Sequence, residues 1–365
     1  MVHKGRDALT GSGVYVRRPA EGVAEKPKAL ERGWETSTFI KKNLTPKKTN
    51  RYNLNMKKWK EKFRELLLDG SMSGGGAVEA QAIKISNIPN RLFKYCDFSK
   101  THDKENLANN KVWLSNVDNF NDPYDSSLTY SYEAILNQKI KGNGLEFLFK
   151  GIDLRKFSLS KEEETEILNA PNIIRKMIEV MGTKDTELTE SKKEQMPGIF
   201  KKAIEEYPRP FIEASRSNAF ISCFSEINTS IIMWSHYACK HKGFCIEYNI
   251  KEDISSVHFY PVFYEKKLFD LTKYLLVKKE EFNNFALLIA CLTKSKEWEY
   301  EKEWRLIPFY VVDKGTEWHM PKPTALYVGA KANPDDEQWL KGFAQDNRIH
   351  FYKEKIDEKE FKIYF

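Results

Sequence analysis

Three groups of side chains are of the types, and at the spacings, that chemistry uses. The most acidic is Lys294-x3-Trp298-Glu-Tyr-Glu-Lys-Glu-Trp-Arg305. Where this segment enters a strand, alternate side chains share a face, which groups Glu301, Glu303 and Arg305 and sets Trp304 and Leu306 opposite. Such a face is either a solvated ion-pair ladder or a catalytic carboxylate held by an arginine and walled by tryptophan. Such walls shift a carboxyl pKa or aim the group at a sugar hydroxyl. The second group is Ser222-Cys-Phe-Ser-Glu226, then Trp234-Ser-His-Tyr-Ala238 and His241-Lys-Gly-Phe244. It predicts a strand ending in Ser222 and Ser225, a helix carrying Trp234, His236 and Tyr237, and a helix stop at Gly243. The three rings suit stacking on, and hydrogen bonding to, a nucleotide; they equally suit a core. The third group is Leu92-Phe-Lys-Tyr95 with Phe120-Asn-Asp-Pro-Tyr-Asp125. Asn121 and Asp122 ahead of Pro123 are turn chemistry, and Asp125 adds a further oxygen, as a site lining would.

The elements that must position these groups read as short strands mixed with helices. Strands are expected at Lys111–Ser115, Ala219–Phe224, Gly243–Tyr248, Val257–Val262, Trp304–Val311, Ala325–Val328 and Ile349–Tyr352. Residues 132–207 have helical patterning and are expected to form an insertion covering one side of the sheet. Ahead of them, Met56, Trp59, Phe63 and Leu66/Leu67 recur at helical spacing among Lys57, Lys58, Lys60, Lys62 and Arg64. That predicts a basic amphipathic helix over 54–70, docked on its own domain or offered to a partner helix, phosphate or anionic lipid. Residues 1–53 read as an extended or disordered basic arm, and 71–80, beginning Ser71-Met-Ser-Gly-Gly-Gly76, as a linker. The expectation is an α+β domain over 81–365, with a mixed, mainly antiparallel sheet.

Composition excludes several classes. Charged residues make up 30%, and the longest apolar run, Phe285–Leu292, falls far short of the roughly 20 residues a spanning helix needs. With no apolar signal core at the start and five cysteines without framework spacing, a reducing cytoplasmic location is expected. Through Gly70 there are 17 Lys and Arg against 8 Asp and Glu, whereas the remainder carries 42 against 44. The net +7 therefore belongs to the leader, which points to nucleic acid or an antitoxin-like protein as its partner. His236, Cys239, His241 and Cys245 fit no usual zinc spacing, so no structural metal is expected.

In order and spelling, the blocks Lys-Tyr, Leu-Ser, Phe-Asn-Asp-Pro-x-Asp, Cys-Phe-Ser-Glu, Met-Trp-Ser-His-Tyr-Ala, His-Lys-Gly-Phe-Cys-Ile and Tyr-Glu-Lys-Glu-Trp-Arg resemble a widespread bacterial family of unknown function. The resemblance runs from about Leu92 to about Gly329. Its members occur in mobile and phage-defence neighbourhoods, which implies an effector or toxin role. More distantly, the layout is similar to that of ADP-ribosyltransferases, although those usually have Arg or His where Lys94/Tyr95 stand and Ser-Thr-Ser where Ser-Cys-Phe-Ser stands. That likeness implies NAD as substrate, with Lys94/Tyr95, Ser222/Ser225 and Glu301-x-Glu303 as the three defining blocks. It further implies Tyr237 or Trp234 as a nicotinamide clamp, Arg305 or Lys94 facing the pyrophosphate, and Asn121 and Asp122 in the binding loop. Glu303, Glu301 and His236 are the expected catalytic residues. A metal-dependent nuclease using Asp122, Asp125, Glu301 and Glu303 to hold Mg²⁺, and a non-catalytic nucleotide-sensing module, are the competing readings.

Overall fold

Trp59, Phe63 and Leu67 recur every four residues, so they form one stripe of helix α1 (Met56–Leu68). All three are buried in the main core. The computed structural model describes residues 56–69, 75–143, 158–184, 189–205, 208–277, 281–308 and 317–365, all within one compact unit, Thr49–Phe365. The expected arm over 1–53 lies outside the described residues. The expected linker over 71–80 gives way at Gly75 to a second helix, α2 (Gly75–Asn87). A Cβ on Gly76 would stand 3.0 Å from the Leu66 carbonyl oxygen, so this glycine serves close packing of the two helices. Lys84 of α2 is wholly buried; its Nζ donates to the carbonyls of Ser256 (3.1 Å) and Val257 (2.6 Å) and sits over the Tyr260 ring.

The domain is α+β, as expected. Among the described residues its strands are β1 (Leu92–Cys96), β2 (Lys111–Trp113), β3 (Ser115–Asn116), β4 (Leu128–Thr129), β5 (Phe220–Ser225), β6 (Phe244–Tyr248), β7 (Phe259–Pro261) and β8 (Phe263–Glu265), followed by β9 (Phe269–Asp270), β10 (Thr293–Ser295), β11 (Glu303–Leu306), β12 (Glu317–His319), β13 (Ala325–Val328), β14 (His350–Lys353), β15 (Lys355–Ile356) and β16 (Ile363–Tyr364). The principal sheet runs β14-β13-β6-β1-β5-β11-β7, with β3 added to β5. Only β13 and β14 pair in parallel within it. One face carries the main core, including Leu92, Phe224, Tyr248, Trp304 and Leu306. The other carries a smaller cluster around Phe93, Trp234, Cys245 and Tyr327.

The register opens the sheet at one place. β1 pairs with β6 along all five of its residues, Leu92↔Tyr248 through Cys96↔Phe244. With β5 it shares a single pair, Phe93↔Ser225. Beyond that pair β1 and β5 diverge, and the far end of β5 pairs with β3 instead, Ser115↔Ile221 and Asn116↔Phe220.

Helices α3 (Thr101–Ala108), α4 (Tyr132–Asn143), α5 (Lys161–Asn169), α6 (Ile173–Lys184), α7 (Glu190–Glu205) and α8 (Arg209–Ser217) follow in the chain. α4 to α6 bury their own cluster, Ile135, Ile140, Ile167, Ile173 and Met177 among its members, apart from the sheet's cores. The run Ser160-Lys-Glu-Glu starts α5 with a capping box, in which Ser160 and Glu163 satisfy each other's free N–H groups. α9 (Ile231–Tyr237) begins at Ser230, whose Oγ accepts from Met233 N.

Candidate functional site

The acidic block does not form a ladder in solvent. β11 starts at Glu303, while Glu301 ends a 3-10 turn (Lys296–Glu301), and Lys302 between them takes the left-handed conformation, φ 46°. That single turn of backbone lets Glu301 fold back beside Glu303. Arg305 is 0% exposed, Glu301 2% and Glu303 3%. Water cannot screen charges there, so each must be matched inside the protein.

The matching groups come from three other elements. Arg305 grips Asp125 with two parallel bonds, Nη1–Oδ1 at 2.8 Å and Nη2–Oδ2 at 2.7 Å, and donates from Nε to Glu303 Oε1 at 2.8 Å. Its Nη1 also donates to Ser126 Oγ and the Cys291 carbonyl, and Phe120 lies against the guanidinium. Lys294, at the centre of β10, donates to Glu301 Oε2 (2.5 Å) and Glu303 Oε2 (3.0 Å) and lies 3.6 Å from Asp125 Oδ2. Tyr264 Oη accepts from Glu303 N, and Ser225 Oγ donates to the Glu301 carbonyl.

Three carboxyl groups thus meet two cations, and the surplus falls on Glu301. Burial alone would raise both glutamates. At Glu303 the adjacent Arg305 and Lys294 outweigh it and hold the carboxyl down at about 2. At Glu301 burial wins, helped by the charge of Glu303 and opposed by Lys294, so its pKa stands above the usual range. Two carboxyls of one turn are driven apart, the pattern of sites that keep one acid ionised and leave another able to take a proton.

Glu301 reaches outward through Tyr237. The Tyr237 hydroxyl donates to Glu301 Oε1 at 2.6 Å, and burial together with that carboxylate raises the phenol's pKa. Tyr237 in turn lines a cleft of about 250 Å³ walled by β1, α3, β2 and the end of α9, with Lys94, His236, Trp113 and Lys100. Lys94 spans the divergence, donating to Ser222 Oγ (2.9 Å) and the Cys223 carbonyl (3.2 Å). Among the described residues no carboxylate lies within ion-pair distance of it.

Several expected site residues fall elsewhere. Trp234 is 0% exposed, with its indole N–H donating to the Asn228 carbonyl, and is a core residue that cannot clamp a ligand. Arg305 cannot face a pyrophosphate, because Asp125 and Glu303 consume its fully buried guanidinium. The Tyr95 hydroxyl is spent on the Ile227 carbonyl. Ser225 holds the Glu301 backbone and accepts from Ile227 N. His236 is exposed at the cleft edge, beside the Tyr237 ring. Asn121 is exposed and near the Tyr237 hydroxyl. Asp122 accepts from Tyr124 N in a capped turn and leaves its buried Oδ2 without a protein partner.

His241 belongs to a different device. Its Nδ1 lies 2.7 Å from Glu354 and its Nε2 3.1 Å from Ser235 Oγ, while Ala330 N holds the second Glu354 oxygen. This bolts the end of α9 to the segment after β13. Cys239, Lys240 and His241 all take positive φ there, and a Cβ on Gly329 would stand 2.2 Å from the His241 carbonyl oxygen. The turn that aims Tyr237 is therefore fixed from both sides. Among the described residues no group of three or more His, Cys, Asp or Glu is disposed to hold a metal ion.

Lys294 and Asp125 carried no role in the expected NAD site. The sequence signal for Lys294 was a cation two residues after the apolar run Phe285–Leu292, where a buried charge needs a partner. Asp125 stood in the turn motif with nothing to mark its bond to a residue 180 positions later. No curated protein and no solved structure matches the chain significantly. Residues 233–306, which hold the α9 block and the whole Lys294–Arg305 block, match a family described as protein of unknown function, DUF2971.

Proposed function

We propose that the chain is an ADP-ribosyltransferase-like effector that takes NAD as substrate in the cleft beside β1 that Lys94 and Tyr237 line and modifies nucleic acid or protein. The observation that carries this is the convergence of three distant blocks. Lys94 on β1, Ser222 and Ser225 on β5, and Glu301 just before β11 meet on neighbouring strands, through Lys94–Ser222 and Ser225–Glu301 hydrogen bonds. Breaking the nicotinamide–ribose bond sends its electron pair to the ring nitrogen and leaves a cationic ribose, which a carboxylate on a ribose hydroxyl stabilises. Glu301 Oε1 supplies that carboxylate, with the ribose hydroxyl taking the place of the Tyr237 hydroxyl. Lys94 faces the phosphates. At about 250 Å³, just below the usual range of ligand pockets, the cleft suits one nucleotide half of the dinucleotide.

A metal-dependent nuclease fits less well, because Lys294 and Arg305 occupy the space among Asp125, Glu301 and Glu303 that a divalent ion would need. A nucleotide-sensing module is favoured by one fact: both Glu301 carboxyl oxygens are already engaged. The two remaining readings separate on Glu301→Gln. As a transferase, the wild-type chain moves label from NAD to extract nucleic acid or protein, and the variant loses at least about a hundredfold in rate, the cost of removing a transition-state electrostatic contact. Absence of NAD turnover in the wild type, with cellular activity intact in the variant, would leave sensing. The basic leader delivers the domain to nucleic acid on this proposal. Deleting residues 1–48 should flatten the salt dependence of nucleic-acid binding, and an unchanged slope removes the leader from that role.

A further inference from the structure

We infer that the cleft is a nucleoside-phosphate site in which Trp113 is the platform for the base and Lys94 and Lys100 hold the phosphate. This rests on the cleft assigned above, though not on the transfer chemistry. Trp113 is a tryptophan on a strand edge, 38% exposed, where burial would be expected for so large an apolar ring. It lines the cleft and lies 5.6 Å from the His102 ring, which steadies it from the side. Its strand, β2, is fixed by pairing Trp113↔Glu317 and Val112↔Trp318 with β12. An aromatic face held open at the mouth of a polar cleft is the form that base stacking takes.

The charges of the lining point the same way. Its two acids, Asp97 and Asp103, are turned to their own loop. Asp97 Oδ1 accepts from Ser99 N, and Asp103 Oδ2 accepts from Asp97 N. Lys111 is matched by Glu317 outside the cleft. Among the described residues Lys94 and Lys100 have no carboxylate within ion-pair distance. Lys94 spends two donors on Ser222 and Cys223 and has one left, as an ammonium carries three. Two unmatched cations beside an exposed indole select a ligand that is both anionic and aromatic. A nucleoside phosphate meets both conditions; inorganic phosphate and an uncharged nucleoside each meet one.

The test is tryptophan fluorescence and calorimetric titration of the full chain with ADP, ADP-ribose, nicotinamide mononucleotide, inorganic phosphate and adenosine. Because Lys94 also bridges the opened sheet, the variants are at the exposed positions, Trp113→Ala and Lys100→Gln, with Lys359→Gln as a distant control. The expected result is saturable binding of at least one nucleoside phosphate, weakened about tenfold or more by Trp113→Ala and by a smaller factor in Lys100→Gln, with Lys359→Gln unchanged. Phosphate and adenosine each bind far more weakly. No binding of any nucleoside phosphate at millimolar concentration, or binding indifferent to both cleft variants, overturns the assignment. Nucleotide binding without NAD turnover would remove the transferase reading and leave this one standing; turnover indifferent to Trp113→Ala would do the reverse.

Discussion

Glu301 and Glu303 are two residues apart and chemically identical, yet their surroundings give them different work. Glu303 is clamped by Arg305 and Lys294 and is a structural anion. Glu301 shares Lys294 but not Arg305, feels the charge of Glu303, and is left with the raised pKa and the bond to Tyr237. That bond favours the ionised carboxyl, so Tyr237→Phe should raise the Glu301 pKa further. If turnover needs the carboxylate, the acid limb of the rate profile moves to higher pH in this variant, with the fold unchanged by circular dichroism; a limb that stays put would detach Tyr237 from catalysis. The residue types of this site could be read from the Tyr-Glu-Lys-Glu-Trp-Arg spelling alone. Their burial could not. Alternation put Glu303 and Arg305 on one face but not Glu301, which the left-handed Lys302 returns to them, and whether that face meets water is decided by Asp125 and Lys294, brought in by a turn and β10 from elsewhere in the chain. Trp234 failed for the converse reason: a ring beside polar neighbours looks the same in sequence whether it walls a site or fills a core.

At the scale of elements, the residue between Glu303 and Arg305 also binds the site to α1. Trp304 projects from β11 on the face opposite Glu303 and Arg305. Its indole N–H donates to Glu226, and its ring stacks on Trp59 at 6.0 Å. Phe63 packs between Tyr260 and Phe263, Arg64 pairs with Glu265, and Asn283 donates to the Leu67 carbonyl. Lys58 and Lys62 of α1 thus stay outward and Lys60 reaches in to the Val262 carbonyl, while the apolar stripe completes the core behind the strand that carries the site. Trp59→Ala removes a ring that is 4% exposed and should cost about 3–5 kcal/mol in chemical denaturation. A loss under about 1 kcal/mol would show that α1 is an appendage. The 3.6-residue period of α1 was plain in the sequence, as were β5, β6 and β13, because each combines apolar spacing with a flanking breaker. The start of α2 was hidden by Gly74-Gly-Gly76, a run that reads as flexible until Gly76 is seen to admit the Leu66 carbonyl. The opened seam between β1 and β5 was hidden too, since register is a property of pairs of strands and neither strand alone encodes it.

For the molecule as a whole, buried titrating groups inside and outside the site set how it answers to acid. His258 lies between α2 and the sheet, its ring against Trp318 at 5.1 Å. Burial first, and the nearby Lys84 second, lower its pKa from 6.5 to about 4. The fold therefore prefers the neutral imidazole, and unfolding takes up a proton at pH values between about 4 and 6.5. This part of the stability is complete above pH 6.5 and is lost as the pH falls from 6.5 to about 4; at about 1.4 kcal/mol per pKa unit it amounts to about 3 kcal/mol. Glu303 acts lower down, its contribution present above pH 4.5 and lost as the pH falls toward about 2. The two windows scarcely overlap, which makes them separable in one experiment. Unfolding free energy measured by denaturant at a series of pH values should fall in two steps. His258→Gln should flatten the upper step and leave the lower one, because glutamine keeps a polar side chain there and cannot take up a proton. If the upper step survives that substitution, its proton enters elsewhere. Lys84, whose pKa burial lowers well below its ordinary value, loses its contribution from pH 10.5 downward and so bends the profile already above pH 6.5, whereas the part of the fall that His258→Gln removes identifies the imidazole.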